Sequence, residues 1–188
     1  MGRLFVIAGP SGAGKGSIVQ ALAEEDPRLW VATSVTTRPP RPGDADGVTY
    51  FFVDDATFDA MAQKGALLEW ATVYGYKYGT PREKVEAKLA ESRDVILEID
   101  VQGAMQVKKR MPQAVTIFIE PPSIDELRRR LGRRGTDDDV TIEKRLGIAK
   151  EEISKKDRFD FVVMNDNLEA AIAEVRAIID QARRNQSV

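Results

Sequence analysis

Residues 9–15 read Gly-Pro-Ser-Gly-Ala-Gly-Lys, between the apolar run Arg3–Gly9 and the amphipathic stretch Ala13–Glu25. A strand that passes through glycines into a helix can turn tightly, so that successive backbone N–H groups point at one spot. The start of the helix adds partial positive charge there, and Lys15 adds a full one. Gly9, Pro10, Ser11, Gly12, Ala13, Gly14 and Lys15 are therefore predicted to cradle a phosphate group. Gly16 stands where such loops usually carry Ser or Thr, and it has no hydroxyl to offer a metal ion. Its N–H can still reach a phosphate. Ser17 is predicted either to touch an α-phosphate and help place the metal through water, or to be a first-turn serine bonded to backbone.

Outward from this loop, short runs rich in Val, Ile and Phe recur at Trp30–Val35, Asp94–Asp100, Ala114–Glu120 and Asp160–Met164. Their nearly continuous apolar character fits strands buried on both faces. Helical patterns lie between them. Thr80 and Pro81 read as N-cap and first-turn residue of a helix with Val85 and Leu89 inside. Ser123 and Glu126 read as a capping box. Asn167 caps a last helix that carries Leu168, Ile172, Val175, Ile178 and Ile179 at helical spacing. Alternating strands and helices predict an α/β fold: a parallel sheet of about five strands with helices on both faces.

Two segments break the alternation. Ser34–Gly79 holds a proline-rich loop, β runs at Val48–Val53 and Leu67–Tyr74 and a short helix at Asp55–Lys64, which together predict an inserted mixed α/β subdomain. Leu127–Arg158 is highly charged, with glycines at 132 and 135, and predicts a mobile helical lid hinged at those glycines. The expected division is a single domain over 1–188, with a core of 1–33, 80–125 and 159–188, a subdomain at 34–79 and a lid at 126–158.

Composition removes whole classes of chemistry. The 188 residues include no cysteine and no histidine, which excludes disulfides, thiolate zinc sites, histidine bases and His-ligated metals. Lys and Arg number 28 against 30 Asp and Glu, a net charge of −2 that argues against general nucleic-acid binding. No apolar run approaches a membrane span, and the opening MGRLFVIAGPSG reads as a first strand without a signal cleavage pattern. A cytoplasmic location is the expectation, with monomer and homo-oligomer both open.

The inserted segment carries the next signal. Ser34-Val-Thr-Thr-Arg38-Pro-Pro-Arg41-Pro-Gly, Gly47-x-x-Tyr50-x-Phe, Leu68-Glu69-Trp70, Tyr78-Gly79-Thr80 and Ile99-Asp100-Val-Gln102-Gly103 follow in order. Arg130, Arg133-Arg134-Gly135-Thr136, Lys144-Arg145 and Asn165-Asp166 come after them. This series, together with the phosphate loop, closely resembles the guanylate kinases over essentially the whole chain. The resemblance implies a phosphate-loop NTPase-type fold and reversible transfer of the ATP γ-phosphoryl group to GMP, with dGMP as a related acceptor. It implies ATP binding by residues 9–17 with Arg134 and Asn165. It implies GMP binding by Ser34, Arg38, Arg41, Tyr50, Glu69, Tyr78, Thr80, Asp100 and Gly103. Lys15, Arg38, Arg134 and Arg145 are the implied catalytic residues. Mg²⁺ is implied with ATP, held mainly by phosphates and water, with Ser17 and Asp100 as candidate protein contacts. Glu98-x-Asp100 departs from the family's more usual Asp-x-Asp.

The residue types suit these roles. Guanine presents two adjacent donors, N1–H and the 2-amino group, and one carboxylate at Glu69 can accept both; adenine has no such pair. Ser34 can donate to guanine O6. Arg38 and Arg41 offer two guanidinium forks to a phosphate, joined by the Tyr50 and Tyr78 hydroxyls. Taken alone, the two arginines also fit a solvated proline-rich loop, the tyrosines a small packed sheet, and Glu69 the exposed face of an alternating strand. Arg128 and Arg129 fit a solvated helix face, and Asp137–Asp139 a helix start. A guanylate-kinase-like interaction domain would be expected to have lost Gly9, Gly14 or Lys15, and a sugar-phosphate kinase would lack Ser34, Glu69 and Asp100. The nucleophile, a phosphate oxygen, is already ionised, so the absence of histidine is no obstacle.

Overall fold

A computed structural model describes residues 2–133 and 138–184. Its centre is a five-stranded, all-parallel sheet in the order β2-β7-β1-β8-β9, formed by Leu29–Val31, Asp94–Glu98, Leu4–Ala8, Val115–Glu120 and Phe161–Met164. These are the five strands the apolar runs predict, with β2 cut to three residues. β1 is wholly buried, as a strand covered on both faces must be. Phe5 and Ile7 face a cluster completed by α1 (Lys15–Glu25) and α7 (Leu168–Arg184). Leu4, Val6 and Ala8 face the opposite cluster, built with α3 (Arg82–Ala90) and α4 (Val101–Arg110). The chain winds to one side of β1 and then to the other, which opens a crevice at the carboxyl ends of the strands.

A second sheet of four strands, in the order β4-β3-β6-β5, lies in the inserted segment: Phe51–Phe52, Val35–Thr36, Tyr76–Pro81 and Leu67–Val73. Helix α2 (Asp55–Gln63) buries Phe58 against Val35 and Leu67. Helices α5 (Ile124–Arg133) and α6 (Asp139–Ile153) share a small core of Leu127, Leu131, Ile142, Leu146 and Ala149.

Several local expectations are corrected. Thr80 and Pro81 do not start a helix; they end β6, paired with β5, and α3 begins at Arg82 with no side-chain cap from Pro81. The expected β run Val48–Val53 shrinks to two residues, and Val48 is 76% exposed. Gly132 lies inside α5 rather than at a break in the chain, while Gly135 lies outside the described residues. Only half of the capping box forms: Ser123 accepts from the Glu126 N–H, but the Glu126 carboxylate turns to Arg129 and Arg130. Asn167 does cap α7 through the Ala170 N–H, and Leu168 at that cap is exposed.

Candidate active site

The phosphate loop leaves β1 at its carboxyl end and closes on α1. Gly9, Gly12 and Gly14 have φ of 144°, 88° and 95°, a region L side chains rarely adopt. At Gly9 a Cβ would lie 2.3 Å from the Ile119 carbonyl oxygen, and at Gly14 2.2 Å from the Asn165 amide nitrogen. Gly14 is the N-cap of α1 and has no side-chain oxygen to offer, so the first-turn N–H groups remain available to an anion. Asn165 is 4% exposed and braces the loop from behind, its Nδ2 donating to the Ala13 carbonyl at 2.7 Å. Arg130 in turn donates to the Asn165 carbonyl at 2.9 Å while bonded to Glu126. Lys15 Nζ donates to the carbonyls of Gly9 (2.6 Å) and Pro10 (3.0 Å), folded back over its own loop. Gly16 and Ser17 lie exposed in the first turn.

Facing the loop is a cleft of about 430 Å³. The loop side contributes Gly9, Ser11 and Lys15; the acceptor side contributes Ser34, Arg41, Tyr50, Glu69 and Tyr78; Asp100 and Arg145 complete the predicted set that lines it. Strand β5 carries Glu69 into the interior, where it is 2% exposed. Its Oε1 accepts from the buried Thr80 hydroxyl at 2.6 Å, across the β5–β6 pairing that displaces the expected helix start. Its Oε2 lies over Gly103, where a Cβ would be only 2.3 Å away. Thr80 and Gly103 thus stand behind Glu69 rather than on the cleft wall. Burial, reinforced by Asp100, pushes the Glu69 carboxyl up to about 7 despite the Thr80 bond and Arg110. Asp100 caps α4, accepting from the N–H groups of Gln102 and Gly103 at 3.1 Å each.

Arg38 also stands one layer back. It is 7% exposed, paired with Asp44 at 2.9 Å and beneath the Tyr50 ring at 5.3 Å. Asp44 accepts as well from the Arg41 N–H at 2.7 Å, and these contacts hold its carboxyl below the usual range. This aspartate ties the two arginines of the loop together. Nothing in a Pro-Gly-Asp turn distinguishes it in sequence from an ordinary turn residue.

Two further cleft residues, Glu152 and Tyr74, were not read from the sequence as site residues, and Glu98, read there as a departure from Asp-x-Asp, lines the cleft with them. Glu98, at the end of β7, is reached by solvent through the mouth but enclosed on most sides; desolvation raises its carboxyl and Lys15 opposes the shift. Glu152 shares a face of α6 with Arg145 and Ile148, and burial raises its carboxyl to about 7, with Lys15 opposing and Asp100 reinforcing. Tyr74, at the β5–β6 turn with φ 51°, lies under the Arg145 guanidinium at 5.1 Å. The stripe at 145, 148 and 152 has the i, i+3, i+7 spacing that would have flagged one helix face. Arg128 and Arg129 are half exposed and paired with Glu143 and Glu126. Arg134 and Thr136 lie outside the described residues, as does Asp137, while Asp138 caps α6.

A phosphate loop and a buried carboxylate facing one cleft match a nucleotide kinase, and comparison with known proteins decides which. A family model described as guanylate kinase matches residues 1–182. The chain belongs to the guanylate kinase family. A guanylate kinase of Thermus thermophilus is 52% identical over 183 residues, 97% of this chain and 83% of that one. That of Synechococcus sp. strain JA-3-3Ab is 48% identical over 178 residues, 95% and 82% of the two chains. The crystal structure of guanylate kinase from Anaplasma phagocytophilum superposes with a TM-score of 0.81 at 32% identity, covering all of this chain and 87% of that one. A shikimate kinase from Bacteroides thetaiotaomicron, at 16% identity and a TM-score of 0.50, covers 95% of this chain and 98% of its own and bears on the fold alone. Membership makes the chain an ATP:GMP phosphotransferase with a phosphate-loop α/β fold. No helix among the described residues is long and apolar enough to cross a membrane.

Proposed function

We propose that the cleft holds GMP on its acceptor side and ATP on the phosphate loop, with the phosphates meeting beside Lys15. The observation that carries this reading is the buried Glu69 carboxylate, braced by Thr80 and open to the same cleft as Lys15. Ionised, Glu69 accepts from guanine N1–H and the 2-amino group, while Ser34 donates to O6 and Asp100 lines the remaining edge. Arg41, with the Tyr50 and Tyr78 hydroxyls, takes the GMP phosphate, and Arg38 joins them by exchanging Asp44 for phosphate oxygens. None of these contacts involves the ribose 2′-hydroxyl, so dGMP is an acceptor too.

ATP phosphates take free backbone N–H groups of the loop over 9–17, where Pro10 has none to give, and draw Lys15 Nζ away from the carbonyls it now serves. Asn165 supports this side by fixing the loop, and Arg134 completes the donor site. A GMP phosphate oxygen attacks Pγ in line; the new Pγ–O bond forms as the bond to the ADP oxygen breaks, and no proton has to move. Arg145 reaches the transferring group from α6. Alignment and charge neutralisation carry the rate. Segments 34–79 and 126–158 close over the core 1–33, 80–125 and 159–188, excluding water that would otherwise hydrolyse ATP.

Among the described residues no cluster of three or more metal-ligating side chains exists. Both Asp100 oxygens already accept backbone N–H bonds, and Gly16 has no hydroxyl. This donor set suits Mg²⁺ carried in on ATP phosphates, with Ser17 and Glu98 as neighbours through water. When bound, Mg²⁺ supplies charge neutralisation to the phosphates. The enzyme works in the cytoplasm, where both nucleotides are found. The test is an acceptor screen with MgATP: GMP and dGMP should be phosphorylated, with AMP and sugar phosphates at least about 10³-fold poorer in kcat/KM. Comparable use of a sugar phosphate would refute the reading.

A further inference from the structure

Strand β5 is the edge of the four-stranded sheet, so the backbone of its outer side lacks a strand partner. Helix α4 of the core fills that place with side chains. Gln106 forms a two-way link with one residue: its Nε2 donates to the Trp70 carbonyl at 2.6 Å, and its Oε1 accepts from the Trp70 N–H at 3.3 Å. Arg110 Nη1 donates to the Leu68 carbonyl, and to that of Leu67 at 3.3 Å. These links grip the residues on either side of Glu69. Gly103, one turn before Gln106 on the same face of α4, makes the bed on which the Glu69 carboxylate rests. Asp100, at the cap of this helix, lines the cleft beside it.

We infer that Gln106 and Arg110 are positioning residues that set guanine specificity by fixing Glu69 to α4. This rests on the reading of Glu69 as the guanine acceptor. The carboxylate must meet two donors at once, and a tilt of the strand by a few tenths of an ångström spoils one of the two bonds before it spoils the fold. Gln106 does not line the cleft, so it acts through Trp70 and Glu69.

The test compares GMP with IMP, which keeps N1–H but lacks the 2-amino group, at saturating MgATP. The variants are Gln106→Leu, Gln106→Glu and Arg110→Lys, with Glu69→Gln alongside. Gln106→Leu should raise KM for GMP about tenfold, lower the GMP-over-IMP preference severalfold and leave KM for ATP unchanged. Gln106→Glu keeps the acceptor for the Trp70 N–H but sets a carboxylate oxygen against the Trp70 carbonyl, so its loss should be at least as large as that of Gln106→Leu. Arg110→Lys, which can serve one carbonyl, should show a smaller shift of the same sign. Equal losses toward GMP and IMP that track a lowered Tm would mean a purely structural clamp and overturn the inference. If Glu69→Gln leaves the GMP-over-IMP preference intact, the guanine reading falls and the inference with it. If Glu69→Gln abolishes the preference while the Gln106 and Arg110 variants keep it, the inference alone falls.

Discussion

The phosphate loop and the acceptor pocket face each other across one cleft, yet they are built by opposite means. The loop offers backbone: three glycines at positive φ, an uncapped helix start, and one lysine whose charge is stored on nearby carbonyls. All of that lies within seven consecutive residues. The pocket offers side chains drawn from β5, β6, the loop ahead of β3, the loop over 38–50 and the start of α4, and it places a carboxylate in the interior at the cost of raising its pKa to about 7. A phosphate is strongly anionic, and any array of aimed N–H groups serves it. A purine edge demands donors and acceptors in one plane, which only a packed interior holds still.

The comparison breaks most visibly at Lys15. Lys15→Met removes the loop's only full charge, so kcat should fall about 10³-fold, the scale of losing one preorganised donor to a transferring group. Tm should change by no more than a few degrees, since the backbone cradle remains. Steady-state kinetics and a thermal melt check this together; turnover within tenfold of wild type would show that the N–H array suffices.

The side-chain pocket should fail more selectively. Glu69→Ala should cost roughly 2–4 kcal/mol in kcat/KM for GMP, because two buried donors lose a charged acceptor. ATP affinity, measured by equilibrium binding, should stay within twofold. A parallel loss of ATP affinity would place Glu69 in the scaffold rather than the pocket.

How legible each region was in the sequence follows from the same contrast. The loop and the five core strands could be read locally, since glycine spacing and apolar runs report their own surroundings. The pocket was legible only where resemblance supplied it. Thr80 obeys the grammar of a helix cap followed by proline, and only pairing with β5 turns it into the hydrogen-bond partner of Glu69. Asp44 is a plain turn residue until Arg38 folds against it, and Glu152 is one polar position in a mixed helix until α6 places it beside Lys15. Arg38, expected on the wall, sits behind it for the same long-range reason.

Glu69 also separates the two regions by pH. Its carboxyl titrates at about 7 when folded and near 4.5 when exposed. Guanine needs the ionised form, so KM for GMP should rise about tenfold for each pH unit below 7. KM for ATP should not share this step. The GMP phosphate titrates in the same range, and Glu69→Gln isolates its share. Stability carries the opposite sign. Between pH 4.5 and 7 the empty folded state holds a proton that the unfolded chain has released, so stability falls as pH rises through that window. Glu152 adds to the same slope. GMP, by binding the ionised form, should flatten it; melts with and without GMP at several pH values give the result, and identical slopes would refute the assignment.

The smallest expected effect lies back in the loop, at Gly16. Unlike Gly9 and Gly14, this glycine has room: a Cβ would sit 3.6 and 3.7 Å from the Glu98 carboxylate oxygens, ordinary contact distances. It occupies the first turn of α1, where serine is well accommodated, and its φ is not in the left-handed region. Gly16→Ser should therefore fold normally and keep turnover within a few-fold of wild type. The added hydroxyl has two calls on it. Toward Glu98 it would donate and hold the carboxylate in its ionised form; toward the ATP phosphates it would supply a direct oxygen for the metal. The second predicts tighter MgATP binding at low Mg²⁺ and no change at saturation, because the ion otherwise completes its shell with water. The first predicts no change in Mg²⁺ dependence, with an altered pH profile from Glu98. A Mg²⁺ titration of MgATP affinity, run beside Ser17→Ala, separates them. Ser17→Ala should be the more harmful of the two if its hydroxyl meets an α-phosphate. A dead Gly16→Ser protein would mean that the first turn of α1, too, is a place where only backbone fits.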